Sequence, residues 1–516
     1  MSENPDRDGY ERICYKKMAQ KKIIIIGGGV AGLSAGIYAR LNGFDSEIVE
    51  IHSLAGGLCT AWYRKQYRFD YSVQWLVGTR YGTFFNTYKE TNVINDDVKI
   101  LNADFHTRMV LPDGSDFLVY ANIDKWQEYL LEKAPEDEKS IRKMCKDMHS
   151  CRYLNSFDLA PSLRNPLHYI KALFDSFPTL MTIVKYRKQS FYNYVSALKF
   201  KNDWLRNSLL SLYGNTDFSA VAFLLILGWY TNKNAGYPVG GSLALAERMC
   251  KRYTDLGGKF TFRKEVKDII VENNVAKGVV LDDGTVMEAD YVISAGDGYN
   301  TIFNLLKGKY TSSKVKSSYE KWSPFCSFVQ VSFGVNKKLE TKYPVQLVLA
   351  TGRKIGSTVL SQFYRILNYN FDNTMAPENK TCIVIRFDSP YDQWKNMDRN
   401  SEEYKQEKER IKADALKILD ENYPGSSEFV EICDIATPLT TVRYTKAWKG
   451  SYEGFRPTSK NITDQLSLTL PGLDKFYMVG HWLFPGGGIP PSIQSGKWAI
   501  QMICKKEKVK FINNDK

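Results

Sequence analysis

A short aliphatic run from Lys21 to Ile26 is followed by Gly27, Gly29 and Gly32 in G-x-G-x-x-G register, and then by a helical stretch reaching Arg40 and Leu41. A turn at Asn42-Gly43 leads into a second strand, Ser46 to Val49, which ends on Glu50. The order is strand, glycine turn, helix, strand, acid, and it restricts the front of the chain to a βαβ unit in a parallel sheet. The first glycine permits the tight turn, the second lets a pyrophosphate approach the backbone, and the third lets helix and strand pack closely. Gly28, Val30 and Ala31 complete the turn, whose amides and helix N-terminus receive phosphate charge. Glu50 stands about twenty residues downstream, where a carboxylate accepts hydrogen bonds from ribose hydroxyls. The same acid repels a 2′-phosphate, which argues against NADP. The turn is predicted to cradle a dinucleotide, and these residues alone do not separate NAD from FAD.

Length, charge and cysteine usage narrow the class. The 516 residues allow roughly three domain-sized units. Lysine and arginine total 70 against 57 acidic residues, a net charge of +13 that favours anionic surfaces or cofactors without choosing among them. No nucleic-acid partner is expected. Nine cysteines, an odd count without a CxxC pair, fit reduced thiols in a cytoplasmic compartment better than a disulfide framework. The histidines show no metal-ligand spacing, so no metal site is expected. Residues 1–20 mix both charges without an apolar core and read as a flexible leader, not a secretory signal. The apolar runs IIIIGGGVAGLSAGIYA and SAVAFLLILGWY are respectively broken by glycines and well short of the ~20 residues that span a bilayer.

Two further blocks carry glycine turns. Tyr237 to Phe260, "YPVGGSLALAERMCKRYTDLGGKF", reads as a turn and an amphipathic helix whose Leu243, Ala246, Met249, Cys250 and Tyr253 share one buried face. Short alternating strands follow, separated by turns at Asn273-Asn274 and Asp283-Gly284, and end in a buried strand from Tyr291 to Ala295. Near the end of the chain a strand from Phe476 to Val479 stops at Gly480, and the loop Gly486 to Pro491 feeds a helix predicted for Ser492 to Cys504.

In this order the blocks resemble the flavin-dependent family of phytoene desaturases, carotenoid isomerases and retinol saturases, which is related to the monoamine oxidases. "GGGVAGLSAGIYARLNGF…VEIHSLAGGLCTAWYRKQYRFDYSVQWLVG" is similar to its N-terminal block. The resemblance implies FAD, with Gly56, Gly57 and Leu58 extending the phosphate contact, the backbone of Val266 meeting the adenine, and Gly480, His481, Gly488, Ile489 and Pro490 contacting the isoalloxazine. The N-terminus of the last helix then faces the pyrimidine side of that ring. The chain departs from the family pattern at Ile51 and Leu58, where relatives commonly carry a basic residue and an arginine. Arg64 and Lys65 are the substitute cations considered for the pyrophosphate. The expected fold class is α/β: a Rossmann-like FAD-binding domain assembled from discontinuous segments, with an α+β substrate domain. The cofactor parts are placed at 21–95, 236–305 and 441–510, the substrate or cap parts at 96–235 and 306–440, and a tail at 511–516.

No Ser/His/Asp set, HExxH motif or carboxylate pair stands out, as expected where a flavin carries hydride and the protein mainly orients the substrate. Gln74 and His481 are the candidates for positioning or proton relay, and Trp75 and Trp482 for substrate contact. The resemblance implies that hydrogen is removed from or added to C–C bonds of a lipophilic, isoprenoid-, carotenoid- or retinoid-like substrate. An amine oxidase-like enzyme, a redox-neutral polyene isomerase and a non-catalytic prenyl-lipid escort remain the alternatives. No second dinucleotide fingerprint appears, so the expected electron partner is a quinone, oxygen or a nicotinamide visiting the same cavity. Asn165 to Phe200 is apolar at helical spacing, interrupted by Pro178 and interleaved with Lys171, Lys185, Arg187, Lys188 and Lys199. Three readings fit it: a peripheral membrane contact, a cap over a substrate tunnel, or a solvated helix. The chain is expected to be cytoplasmic and, on the first of these readings, membrane-associated.

Overall fold

Ile23, Ile24, Ile25 and Ile26 are buried on both faces of their strand, which suits the interior of a helix-covered parallel sheet. The computed structural model describes residues 21–213 and 217–514, so the expected leader at 1–20 lies outside the described residues. The chain first lays down β1 (Lys22–Ile26), α1 (Val30–Leu41) and β2 (Asp45–Glu50). It then leaves to form β3 (Phe105–Val110), β4 (Asp116–Tyr120) and the helices α2 (Pro166–Asp175), α3 (Phe177–Tyr186) and α4 (Ala220–Thr231). It returns through α5 (Gly241–Asp255) to β5 (Lys259–Phe262) and, after a small three-stranded antiparallel sheet, to β6 (Tyr291–Ser294). A second excursion gives β7 (Phe328–Val335), β8 (Val345–Leu349), β9 (Phe363–Asn368), β10 (Thr381–Asp388), α6 (Glu402–Asn422) and β11 (Val430–Ala436). The strand β12 (Phe476–Met478) and the helix α7 (Ile489–Lys506) close the fold.

Two principal sheets result. The first has the order β5-β2-β1-β6-β12 and is parallel throughout. The second has the order β11-β7-β10-β9-β8-β3-β4 and is antiparallel except where β3 lies beside β8. The class is therefore α/β, with a Rossmann-like sheet gathered from distant segments and a mixed α+β part built from the excursions between them.

Small residues on α1 let its neighbours reach the helix backbone. An added Cβ at Gly32 would lie 2.0 Å from the Gly27 carbonyl oxygen, and at Gly36 2.7 Å from the Tyr253 ring of α5. From the other side, a Cβ at Gly496 of α7 would lie 2.7 Å from the Ala31 carbonyl oxygen. The termini of two helices differ from expectation. α7 begins at Ile489, not Ser492, because Pro490 and Pro491 occupy first-turn positions that need no hydrogen-bond donor. Pro178 likewise opens α3 instead of interrupting a helix, and the break falls at Ser176. The run SAVAFLLILGWY forms the largely buried α4, and among the described residues no helix is long and apolar enough to cross a membrane.

Lys497 of α7 is 1% exposed and pairs with Glu90 at 2.8 Å and Asp158 at 2.6 Å, while the Tyr38 hydroxyl donates to the same Glu90 carboxylate. A buried pair that loses one partner leaves the other charge uncompensated. Lys497→Met should therefore cost about 3 kcal/mol, read as a lower urea midpoint at unchanged denaturant slope.

Candidate active site

The strands β1 and β2 end side by side, and the turns that follow them fold against each other. Gly27 donates to the Val49 carbonyl at 2.8 Å in a left-handed conformation (φ +96°) that L side chains rarely adopt. Gly29 caps α1 in extended conformation, and Gly56 (φ +125°) donates to the Gly28 carbonyl at 2.8 Å. The Glu50 carboxylate closes this end, accepting from the Gly28 amide at 2.6 Å and the His52 amide at 2.8 Å. Burial raises its pKa, and the His52 and Gly28 amides oppose that rise. The amides of Arg263 and Lys264 donate to the His52 and Glu50 carbonyls, both at 3.1 Å, which brings Val266 to the same edge.

The end of the chain supplies the facing wall. Val479 donates to the Ser294 carbonyl at 2.9 Å, and Gly480 (φ +123°) donates to the Ser495 hydroxyl of α7 at 2.9 Å. Gly488 (φ +87°) caps α7, whose first turn holds Ile489 and Pro490. Removed from bulk water, the His481 imidazole is pushed down to about 4 and is neutral at physiological pH. Trp482 is buried edge-on to Phe455, with ring centroids 5.2 Å apart, and Trp75 packs on Tyr230 at 5.3 Å.

One cavity of about 1680 Å³ joins these pieces. Of the residues expected at the cofactor, Gly27, Gly29, Val30, Ala31, Glu50, Gly56, Gly57, Leu58, Val266, Gly480, His481, Gly488, Ile489 and Pro490 line it, and so do Gln74, Trp75 and Trp482. Gly28 and Gly32 stand behind the wall, where a Cβ would meet Glu50 and the Gly27 carbonyl respectively. The expectation for Arg64 and Lys65 is corrected: neither lines the cavity. The hairpin at 61–70 turns them toward β11, where Arg64 pairs with Asp434 at 2.6 Å and Lys65 donates to the Glu431 carbonyl at 2.9 Å.

Sequence reasoning missed a buried acid, a half-buried acid and two arginines on the cavity wall. Asp297 follows β6 in a Gly-Asp-Gly turn, accepts from the amides of Asn300 at 2.7 Å and Trp448 at 2.8 Å, and is pushed up to about 7 by burial. Glu453 precedes Gly454, and its Oε1 would lie 2.8 Å from a Cβ on Gly488; burial pushes it up to about 7 as well. A carboxylate beside glycine in a turn was a readable signal for both. Arg365 of β9 and Arg386 of β10 gave none, because alternation along a strand does not say which face looks onto a cavity.

The chain matches the profile of the flavin containing amine oxidoreductase family over residues 30–503. It is similar to the chloroplastic prolycopene isomerase of Arabidopsis thaliana, 23% identical over 486 residues, covering 90% of this chain and 80% of that protein. It is also similar to the neurosporene-forming phytoene desaturase of Cereibacter sphaeroides, 25% identical over 511 residues, covering 92% of this chain and 93% of the relative. A solved oxidoreductase from Methanosarcina mazei shares the fold with a TM-score of 0.61 at 16% identity, covering 93% of this chain and 100% of that one.

The cavity wall fits such a cofactor at a glycine where fold and ligand make different demands. At Gly29 the backbone is extended, and an added Cβ would find no protein atom closer than 3.9 Å. The fold therefore tolerates a side chain at 29, whereas a pyrophosphate laid on the first turn of α1 does not. Gly29→Val should fold with an unchanged circular dichroism spectrum and lose the flavin absorption bands; full FAD occupancy in that variant would place the phosphates elsewhere. The family match over most of its length, with a glycine cradle that fits, makes this chain a member of the flavin containing amine oxidoreductase family, an oxidoreductase whose cofactor is FAD.

Proposed function

We propose that the protein removes or adds hydrogen across C–C bonds of a lipophilic, isoprenoid-like substrate. The observation that carries this reading is the continuation of the cavity past the glycine cradle into a chamber lined by Phe223, Ile226 and Tyr230 of α4 and by Leu347 and Phe363 of β8 and β9. Such a lining excludes water and binds an apolar chain by area, not by directed hydrogen bonds. The names of the similar curated proteins, an isomerase of prolycopene and a desaturase of phytoene, support the same class. In this reading residues 21–95, 236–305 and 441–510 hold the cofactor, and residues 96–235 and 306–440 shape the chamber.

Bound FAD supplies the two-electron acceptor or donor for such a reaction. The chain's own residues set the geometry. The glycine turns at 27–29 and 56–57 hold the phosphate end, and the N-terminus of α7 places partial positive charge at the far end. Gln74 offers an amide and His481 a neutral imidazole for hydrogen bonds at the junction of cradle and chamber, and Trp75 and Tyr230 form an aromatic wall there. A cationic amine is disfavoured, because it would meet Arg365 and Arg386 on the same cavity wall. The electron partner in this proposal is a quinone, oxygen or a nicotinamide.

A lipophilic substrate needs a route from a bilayer, and α2 and α3 supply a surface for one. Leu167 is 70% exposed and Phe174 78%, with Phe177, Met181 and Val184 also exposed and Lys171, Lys185, Arg187 and Lys188 close by in sequence. Apolar side chains ringed by lysine and arginine suit the interface of an anionic membrane. The Thr179 hydroxyl of α3 donates to the Ser150 and Tyr153 carbonyls, and the segment just beyond, Leu154 to Phe157, lines the cavity.

Two measurements test the reading. Holoprotein incubated with polyene lipids, oxidised in one arm and reduced in the other, should change substrate mass by two hydrogens in one of them; peroxide release with amines and no change in any polyene would replace the reading with amine oxidation. Phe174→Asp combined with Met181→Asp should abolish co-sedimentation with vesicles containing phosphatidylserine while FAD content stays unchanged. Undiminished co-sedimentation would remove α2 and α3 from the membrane contact.

A further inference from the structure

The second sheet carries a charge arrangement that a wholly apolar substrate leaves unexplained. Arg365 and Arg386 stand directly opposite each other in the register of β9 and β10, and both line the cavity. Like charges directly opposite on a sheet are destabilising. Among the described residues neither guanidinium belongs to an ion pair. Arg386 is committed to neutral acceptors: its Nε donates to the Gln330 side-chain carbonyl at 2.9 Å and its Nη2 to the backbone carbonyls of Asp70, at 3.3 Å, and Tyr71. Arg456, a third arginine on the wall, is tied to Asp217 at 2.9 Å. The Arg365 side chain makes no hydrogen bond among the described residues, and its Nε is shut away from solvent without a partner.

The surroundings of Arg365 are apolar along the sheet and polar at one side. Phe363 and Leu367, two residues away on β9, share its face, and Leu347 of β8 is its cross-strand partner; all three line the cavity. His106, Tyr213, Asp388, Tyr452 and Glu453 feel its charge from the other elements around it, but no carboxylate reaches it at ion-pair distance. Burial pushes the Asp388 and Glu453 carboxyls up, Glu453 to about 7.

We propose that Arg365 seats a carboxylate head group, so that the substrate is a long-chain unsaturated acid whose apolar chain fills the chamber. The proposal rests on the reading of the cavity as the site of a lipophilic substrate and adds the chemistry of its end. A guanidinium fork matches a carboxylate in two parallel hydrogen bonds, and it would supply the acceptors Arg365 lacks. Negative charge on the acids around Arg365 would repel a phosphate dianion more than a monoanion.

The test uses FAD-loaded protein titrated with cis-parinaric acid, a conjugated tetraene acid followed by its own fluorescence, and with its methyl ester. The acid should bind one saturable site about ten-fold or more tighter than the ester. Arg365→Leu should abolish that preference while leaving ester binding and flavin absorbance unchanged, and Arg365→Lys should restore part of it. Equal affinity of acid and ester in the wild type, or equal weakening of both in Arg365→Leu, would overturn the head-group site while leaving the lipophilic chamber intact. A prenyl monophosphate that outcompetes the acid and depends on Arg365 would replace the carboxylate with phosphate. Binding of neither acid, ester nor a polyene hydrocarbon would remove the lipophilic substrate itself, and the head-group site with it.

Discussion

The rest of the structure depends on how closely α1 approaches the turn that precedes it. A single methyl group on Gly32 would fall 2.0 Å from the Gly27 carbonyl oxygen, inside any allowed contact, so only glycine permits the helix to start where it does. That start sets the first amides of α1 at the edge where β1 and β2 end, and it makes the helix backbone itself a packing surface. α5 reaches it at Gly36 through Tyr253, and α7 crosses it at Gly496. The helix most central to the cofactor side is thus held by contacts with backbone, which a side-chain change elsewhere disturbs little.

The same economy governs the two halves of the cavity in opposite ways. Around the cradle the wall is mostly main chain: Gly27, Gly29, Gly56, Gly57, Gly480 and Gly488 present amides and empty space. Around the chamber it is side chain, aromatic from α4 and aliphatic from β8 and β9, with arginines and acids set into it. A nucleotide recognised through backbone groups tolerates wide divergence, which fits a family match that survives at 23% identity to a carotenoid isomerase. A substrate recognised through side chains does not share that tolerance. The chamber is the part of the cavity whose chemistry a change of side chain alters directly.

Legibility in the sequence followed this division. The β1-turn-α1-β2 unit, the amphipathic helix that became α5 and the paired turns at Asn273-Asn274 and Asp283-Gly284 could be read directly, because glycine spacing, helical periodicity and turn pairs are local signals. The pyrophosphate cations were misread: Arg64 and Lys65 lie near Gly57 in sequence, but a short hairpin carries them to acceptors on β11. The helix ends at Pro178 and Pro490 were displaced for a related reason, since proline marks a break when read along the chain and a helix start when its missing donor is counted.

By itself the sequence determined that a dinucleotide-binding βαβ unit opens the chain and that glycine turns recur in the middle and at the end, because each of these is fixed by the conformational limits of a few adjacent residues. Only the tertiary structure decided that the first and last glycine turns share one cavity with Val266 while the turn at Gly240-Gly241 stands outside it, that Gly29 faces open space while Gly32 faces a carbonyl, and that two arginines lie opposite each other on a sheet with no ion pair among the described residues. Those relations join residues separated by tens to hundreds of positions, and the physics that sets them, burial and Coulomb interaction across the folded interior, acts through space and leaves no local pattern along the chain.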